Sequence, residues 1–460
     1  MHTVDPVDGV LRLTADYAAR FQATLDDRPV RAQASFDELC AALGGPLPET
    51  GTADEEVVAE LIAGGEPGVV GTQTGRYFGF VIGSALPAAV AADWLATAWD
   101  QNAALGPITP GVSRIEAVAL RWLLDVLGLP PGSQGAFVTG ATMANFTALA
   151  AARHAQLARA GWNVEADGLF DAPPVTVIVG EEAHPTLLKA LGLLGLGRRR
   201  VVRLPVDRQG RVRAEALPKL HGPTIVCLQA GNINTGAFDP FDEICAAARA
   251  AGAWVHVDGA FGLWAAASPT HRHLVAGIEQ ADSWAADGHK WLNVPYDCGY
   301  VFCADPEAHA AAMSYTAAYL AGRGDEAALR SPSDYVLESS RRARGFATWA
   351  ALRELGRDGL AELVERCCAL ARRFGDRLAE IEGVEIGNEI VLNQALARFG
   401  SDERTDALVD AVQRDGTCWM GGTTWGGRRY MRISVSNWST TESDVDRSVE
   451  AIRRLLGGLS

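Results

Sequence analysis

Between about residues 135 and 303 the chain alternates short apolar runs with longer amphipathic ones. The apolar runs fall at 135–138, 175–179, 224–228, 254–258, 283–286 and 299–303, each of strand length and rich in Val, Ile, Phe, Tyr or Trp. Helical spacing fills the gaps, at about 142–160, from about 185, and at 240–251. This alternation predicts a mostly parallel sheet covered by helices. Ligands in such sheets sit at the carboxyl ends of the strands. Upstream, residues 1–70 read as helices with polar breaks such as Gly44-Gly-Pro-Leu-Pro48. The Gly-rich stretch 71–84 is a loop or short strand, and helices follow at 86–101 and 113–127. Downstream, 313–340 is polar and Gly-containing, a pattern expected of a mobile loop. A helix at 341–355 leads into an amphipathic helix at 358–381. A smaller α+β unit then has strands near 384–399 and 429–435 and a last helix at 442–456, begun by Thr440-Thr-Glu-Ser-Asp. Three parts are expected: a helical segment 1–90, a large α/β domain 91–345 and a small domain 346–460.

Composition changes the picture mainly by exclusion. The 460 residues are 48% hydrophobic and 21% charged, as in an ordinary globular protein of more than one core. A formal charge of −15 argues against nucleic acid and anionic membrane surfaces as partners. No run is apolar enough to span a bilayer, and the first residues lack the basic and apolar regions of a signal peptide. The eight cysteines form no CxxC pair, and several lie in apolar runs, which points to buried free thiols and a cytoplasmic location. No metal-ligand spacing emerges; His271 and His273 have no partner to complete a site.

Candidate chemistry gathers at the expected strand ends. Lys290 lies in Ala-Asp-Gly-His-Lys-Trp (286–291), and Asp258 ends Trp254-Val-His-Val-Asp258. An amine able to form a Schiff base and a carboxylate able to pair with a pyridine nitrogen are the groups pyridoxal phosphate chemistry needs most. Asp258 could instead cap the following turn. Thr139-Gly-Ala-Thr-Met-Ala-Asn145 joins a strand to a helix; it is either an anion site at a helix N-terminus or an ordinary capped turn. His184 is either a ring that stacks on a cofactor and moves protons, or a water-exposed histidine at a helix start.

Five motifs in order carry a family resemblance: Gly-Ala-Thr-x-Ala-Asn (140–145), Ala-His (183–184), Asn-Thr-Gly-Ala-Phe-Asp (234–239), His-Val-Asp-Gly-Ala-Phe-Gly (256–262) and Asp-Gly-His-Lys-Trp-Leu (287–292). Over roughly residues 70–460 the chain resembles the group II pyridoxal-phosphate-dependent amino-acid decarboxylases of the aspartate-aminotransferase fold, fold type I. The resemblance implies an α/β fold with a mostly parallel sheet of the seven-stranded type and a smaller C-terminal α+β domain. It implies Lys290 as the Schiff-base lysine, Asp258 against the ring nitrogen and His184 stacked on the ring. Ala141, Thr142, Asp287 and His289 would lie at the phosphate and Ala260 at the other ring face. The Asn232-Ile-Asn-Thr235 turn departs from a Thr-rich version, so either Asn232 or Asn234 would support the Schiff base or Asp258. Tyr319 matches the loop residue that reprotonates carbon after CO₂ leaves; Phe there accompanies aldehyde synthases. Arg432 matches a small-domain arginine that clamps the substrate carboxylate in aminotransferases of this fold; here it either touches substrate or only supports structure, and the decarboxylase branch favours support. Phe80, Val81, Ile82 and Trp99 match the side-chain pocket, which in this fold is shared across a homodimer, with the N-terminal segment in the interface. The pocket's apolar, aromatic make-up favours an aromatic or apolar L-amino acid. The alternatives are another reaction on the same scaffold (aldehyde synthase, aminotransferase or carbon–carbon/carbon–sulfur lyase) and a non-catalytic module.

Overall fold

The structure is a computed structural model that describes residues 6–315 and 331–459. Its centre is a seven-stranded sheet of β1 (Gln134–Val138), β2 (Thr176–Gly180), β3 (Val202–Leu204), β4 (Thr224–Gln229), β5 (Trp254–Asp258), β6 (Ser283–Asp287) and β7 (Gly299–Cys303). The order across the sheet is β1-β7-β6-β5-β4-β2-β3. Only β7 runs against its neighbours, pairing antiparallel with β1 and β6. β5 and β6 are buried along their whole length. Strands covered on both faces need near-continuous apolar sequence, and here they have it. Helices Ala141–Arg159 and Pro185–Leu193 pack one face around Leu149, Val177, Val179 and Leu191. The other face is filled by Phe137, Val226, Val257, Trp284 and Phe302.

A second sheet of four antiparallel strands has the order β10-β11-β9-β8, from β8 (Val384–Ile386), β9 (Gln394–Phe399), β10 (Gly421–Trp425) and β11 (Arg428–Ser434). β3 and β10, short or Gly-rich, are strands the sequence pattern does not announce. Helices Asp402–Asp415 and Glu442–Gly457 pack on this unit. The latter opens with a reciprocal cap between Thr441 and Asp444, as its sequence suggests. The long helical element Gly345–Ala379 breaks at Gly356, whose φ of 62° is one a glycine tolerates.

Residues 71–86 are neither helix nor a regular strand. They run between the two sheets: Phe78 N–H donates to Trp419 O at 2.9 Å and its carbonyl accepts from Ser434 N–H at 2.9 Å. Phe80 and Val81 both take positive φ, 55° and 57°. Arg341 and Glu116, each about 1% exposed, form a buried ion pair at 3.0 Å. Arg341 also donates to the carbonyls of Ala103 and Phe137, which anchors the segment after residue 331 to β1. Most of the expected mobile loop, with Tyr319, lies outside the described residues. No helix among the described residues is long and apolar enough to cross a membrane.

Candidate active site

The carboxyl ends of β1, β4, β5 and β6 open on a cavity of about 390 Å³. Thr139, Ala141, Thr142, His184, Asp258, Ala260, Asp287, His289 and Lys290 all line it, so the fold collects residues spread over 150 positions of sequence. Helix Ala141–Arg159 starts directly after β1, and its N-cap Gly140 brings no side chain to the first turn. Ala141 N–H donates to Asp287 Oδ1 at 2.6 Å. A Cβ at Gly140 would come within 3.0 Å of His289 and 3.3 Å of Asp287, so a side chain there would crowd both.

Asp258 is buried at the end of β5. Its Oδ2 accepts from Asn145 Nδ2 at 3.0 Å and its Oδ1 from Ala260 N–H at 3.2 Å. Behind it runs a buried chain. Asn145 Oδ1 lies 2.9 Å from His256 Nε2, His256 Nδ1 lies 3.0 Å from Ser283 Oγ, and Ser283 Oγ accepts from Trp254 Nε1 at 2.9 Å. Burial pushes His256 down to about 4, so the ring is neutral. One proton arrangement leaves no acceptor facing an acceptor. Ser283 donates to Nδ1, Nε2–H donates to the Asn145 carbonyl, and the Asn145 amide donates to Asp258. No cation among the described residues pairs with Asp258, although a buried carboxylate calls for one.

Lys290 follows β6 after a two-residue turn, its Nζ 3.0 Å from Asp287 Oδ2. His289 Nε2 lies 3.5 Å from Asp287 Oδ1, while its Nδ1 accepts from Cys298 N–H at 3.1 Å. Burial holds His289 below the usual imidazole range, against the opposing field of Asp287. His184 caps helix Pro185–Leu193, with Nδ1 accepting from Thr186 N–H. Burial lowers its pKa too, against the field of Asp258. A neutral ring with Nδ1 so engaged leaves Nε2–H available. Arg432, on β11, has its guanidinium 5.6 Å from the centre of the Phe80 ring. Desolvation is the main influence on it, and no carboxylate among the described residues pairs with it.

Other residues singled out from the sequence lie elsewhere. Asn234 Oδ1 accepts from Thr423 Oγ1 at 2.8 Å, and Asn232 Oδ1 closes its own turn by accepting from Asn234 N–H at 2.8 Å. Neither lines the cavity; Gly231 and Ile233 do. Asn234 faces the small sheet through Thr423. Val81 is buried in the apolar core and does not line the cavity. Phe80 is exposed beside Trp419, with ring centres 5.5 Å apart. Ile82 is half-buried and its carbonyl accepts from Ser436 Oγ at 3.0 Å. Trp99 is exposed and meets Phe346 edge-on at 5.2 Å, away from the cavity. Sequence reasoning passes over Asn145, His256 and Ser283. His256 is within its reach, since it lies two residues before Asp258 on the same face of a strand. It also passes over Tyr296, which lines the cavity with its ring stacked on His289 at 4.4 Å.

The profile described as the pyridoxal-dependent decarboxylase conserved domain matches residues 55–396. Tryptophan decarboxylase 1 of Oryza sativa subsp. japonica is 25% identical, over 98% of this chain and 93% of its own length. The 4-hydroxyphenylacetaldehyde synthase of Rhodiola rosea is 24% identical, over 95% of this chain and 92% of its own. The crystal structure of Oryza sativa TDC with PLP and tryptamine superposes with a TM-score of 0.91 at 23% identity, covering 100% of this chain and 99% of that one. The last is a likeness of fold.

Proposed function

Because the chain belongs to the pyridoxal-dependent decarboxylase family, we propose that it converts an L-amino acid with an aromatic or other apolar side chain to the amine and CO₂. It is an amino-acid decarboxylase that uses pyridoxal phosphate. The residues present fit that cofactor. A buried carboxylate without a cation among the described residues suits a pyridinium N–H⁺, a helix N-terminus whose N-cap Gly140 has no side chain, with Thr142 beside it, suits a phosphate, and Lys290 supplies the amine. When bound, pyridoxal phosphate supplies an aldehyde carbon for exchange between amines and a conjugated ring that accepts the electron pair left by CO₂.

The chain's own groups do the rest. Asp258, oriented by Asn145, would keep the ring nitrogen protonated. Asp287, with its other oxygen beside His289, holds the Lys290 amine in the cavity and can release it. His184 presents a flat neutral ring and an Nε2–H that can bond a carboxylate or pass a proton. Arg432 attracts the substrate carboxylate without clamping it as a bidentate pair would. Burial of the carboxylate before its bond breaks favours loss of charge as CO₂. Tyr319 would return the proton to carbon. The apolar, aromatic make-up of the stretch 77–84 and the likeness to a tryptophan decarboxylase support an apolar side chain as substrate.

A homodimer with shared sites accompanies this reading. No residue of helix Phe36–Leu43 is buried, and Phe36 and Leu47 are 79% and 92% exposed, as if awaiting a second chain.

The observation that carries the proposal is the convergence of Asp258, Lys290 and His184 on one cavity beneath a helix N-terminus. The test is a screen of amino acids with purified holoenzyme, scoring CO₂, amine, peroxide and keto acid. Equal CO₂ and amine without peroxide is expected. Peroxide and ammonia in step with CO₂ would instead make the chain an aldehyde synthase.

A further inference from the structure

We propose that Asn293 is a positioning residue that fixes the backbone of Lys290 relative to Arg432. Asn293 follows Lys290 by three residues, is fully buried, and takes a φ of 54°. Every hydrogen-bonding group it has is used. Its Oδ1 accepts from Ser84 N–H at 2.8 Å and from Trp438 N–H at 3.0 Å. Its Nδ2 donates to Trp291 O at 2.9 Å and to Ser436 O at 3.0 Å. Its backbone carbonyl accepts from Leu86 N–H at 2.8 Å, and its N–H donates to Lys290 O at 3.3 Å.

One side chain thus joins three segments: the Lys290 turn, the stretch 82–86, and the stretch that continues β11 after Arg432. Nearby contacts run the same way. Ser436 Oγ donates to Ile82 O at 3.0 Å and Trp438 Nε1 to Ala85 O at 3.2 Å. Gly83 lies so flat on the Lys290 peptide that a Cβ there would fall 1.8 Å from the Lys290 carbonyl oxygen. A buried amide with all partners satisfied permits few alternative geometries, because each displacement strands a donor or acceptor out of reach of water. The large sheet presents Lys290 and the small sheet presents Arg432, so this junction sets the span a substrate must bridge from amine to carboxylate.

The inference rests on Lys290 carrying the cofactor, and the test separates the two. The probes are aminooxyacetate, which has a carboxylate, and O-methylhydroxylamine, which has none. With either, the aminooxy nitrogen replaces the lysine nitrogen on the cofactor's aldehyde carbon, the Lys290 amine is released, and the visible absorbance falls. Wild-type holoenzyme should react faster with aminooxyacetate, and borohydride should trap the cofactor at residue 290. Asn293→Gly keeps the backbone angle available and deletes the side-chain bonds. It should still trap cofactor at 290 but lose most of the preference for the carboxylated probe, by about tenfold. Amide exchange should quicken together in 82–86, 289–294 and 434–438 and stay slow in β4. Asn293→Asp keeps the two acceptor contacts but turns an oxygen toward the Trp291 and Ser436 carbonyls, so it should lose at least as much of the preference; it carries the test if the glycine variant fails to fold. An unchanged probe preference, or faster exchange in one segment alone, overturns the proposal. Wild-type protein that traps no cofactor at 290 overturns the active-site reading on which it stands.

Discussion

Asp258 shows how much a single carboxylate depends on atoms that never touch the ligand. Its direction is set by Asn145, Asn145 by His256, and His256 by Ser283. Asn145→Ala should cost about 1–3 kcal/mol, because it leaves His256 Nε2–H buried without a partner. It should also weaken cofactor binding, measured by titration of visible absorbance, while Asn145→Gln recovers part of the loss. The pH dependence follows from His256. Burial lowers its pKa from 6.5 to about 4, so the unfolded chain binds its proton first. Stability is then complete above about 6.5 and declines as pH falls toward 4, by on the order of 3 kcal/mol. Urea unfolding at pH 7.5 and pH 5 should show this decline in the wild type and less of it in His256→Gln. Lys290, Asp258 and His184 are legible in the sequence because each closes or follows a strand-like run, where α/β sheets place chemistry. The Asn145 relay is not, because it joins residues more than 100 positions apart through contacts made only in the fold.

At the level of elements, the cavity depends on how closely β1 and β7 lie. Gly299 pairs with Val138, and a Cβ at 299 would approach the Gly140 backbone to 2.5 Å. Gly299→Ala should therefore push the start of helix Ala141–Arg159 out of place. Cofactor affinity, read by absorbance or fluorescence titration, should fall by an order of magnitude or more, with a smaller effect on cooperative unfolding. The Glu116–Arg341 pair works differently, tying a loop-derived segment to β1 from below. Removing one buried partner leaves the other charged and dry, so Glu116→Ala should cost about 3–5 kcal/mol by denaturant unfolding. The stretch 77–84 shows a limit of reading elements from pattern. Its apolar residues predict a pocket wall, yet Val81 points into the core and Phe80 out to solvent. Neither a two-residue nor a 3.6-residue period applies where consecutive residues take positive φ.

For the whole molecule, the N-terminal helices leave large apolar side chains uncovered. Helix Asp54–Gly65 buries only Gly64, and Phe36 and Leu47 stand in water. Sedimentation should find a dimer, and activity per chain should fall on dilution through its dissociation constant; a monomer active at every concentration would refute the shared-site arrangement. Net charge of −15 also implies that cofactor phosphate is drawn in by local dipoles and cations at the cavity, not by the overall field.

By itself the sequence determined the α/β class, the order of most strands and helices along the chain, the family resemblance, and the lysine, aspartate and histidine at strand ends. These are local or periodic properties, written in runs of neighbours. The tertiary structure decided which side chains face the cavity, and it excluded Asn234 and Val81 while admitting Tyr296. It placed the lone antiparallel β7 between β1 and β6, and it drew Asn293, Ser84 and Trp438 into one junction. Such choices depend on direction and distance between segments far apart in the chain. Those are settled only when burial forces every polar group to find its partner.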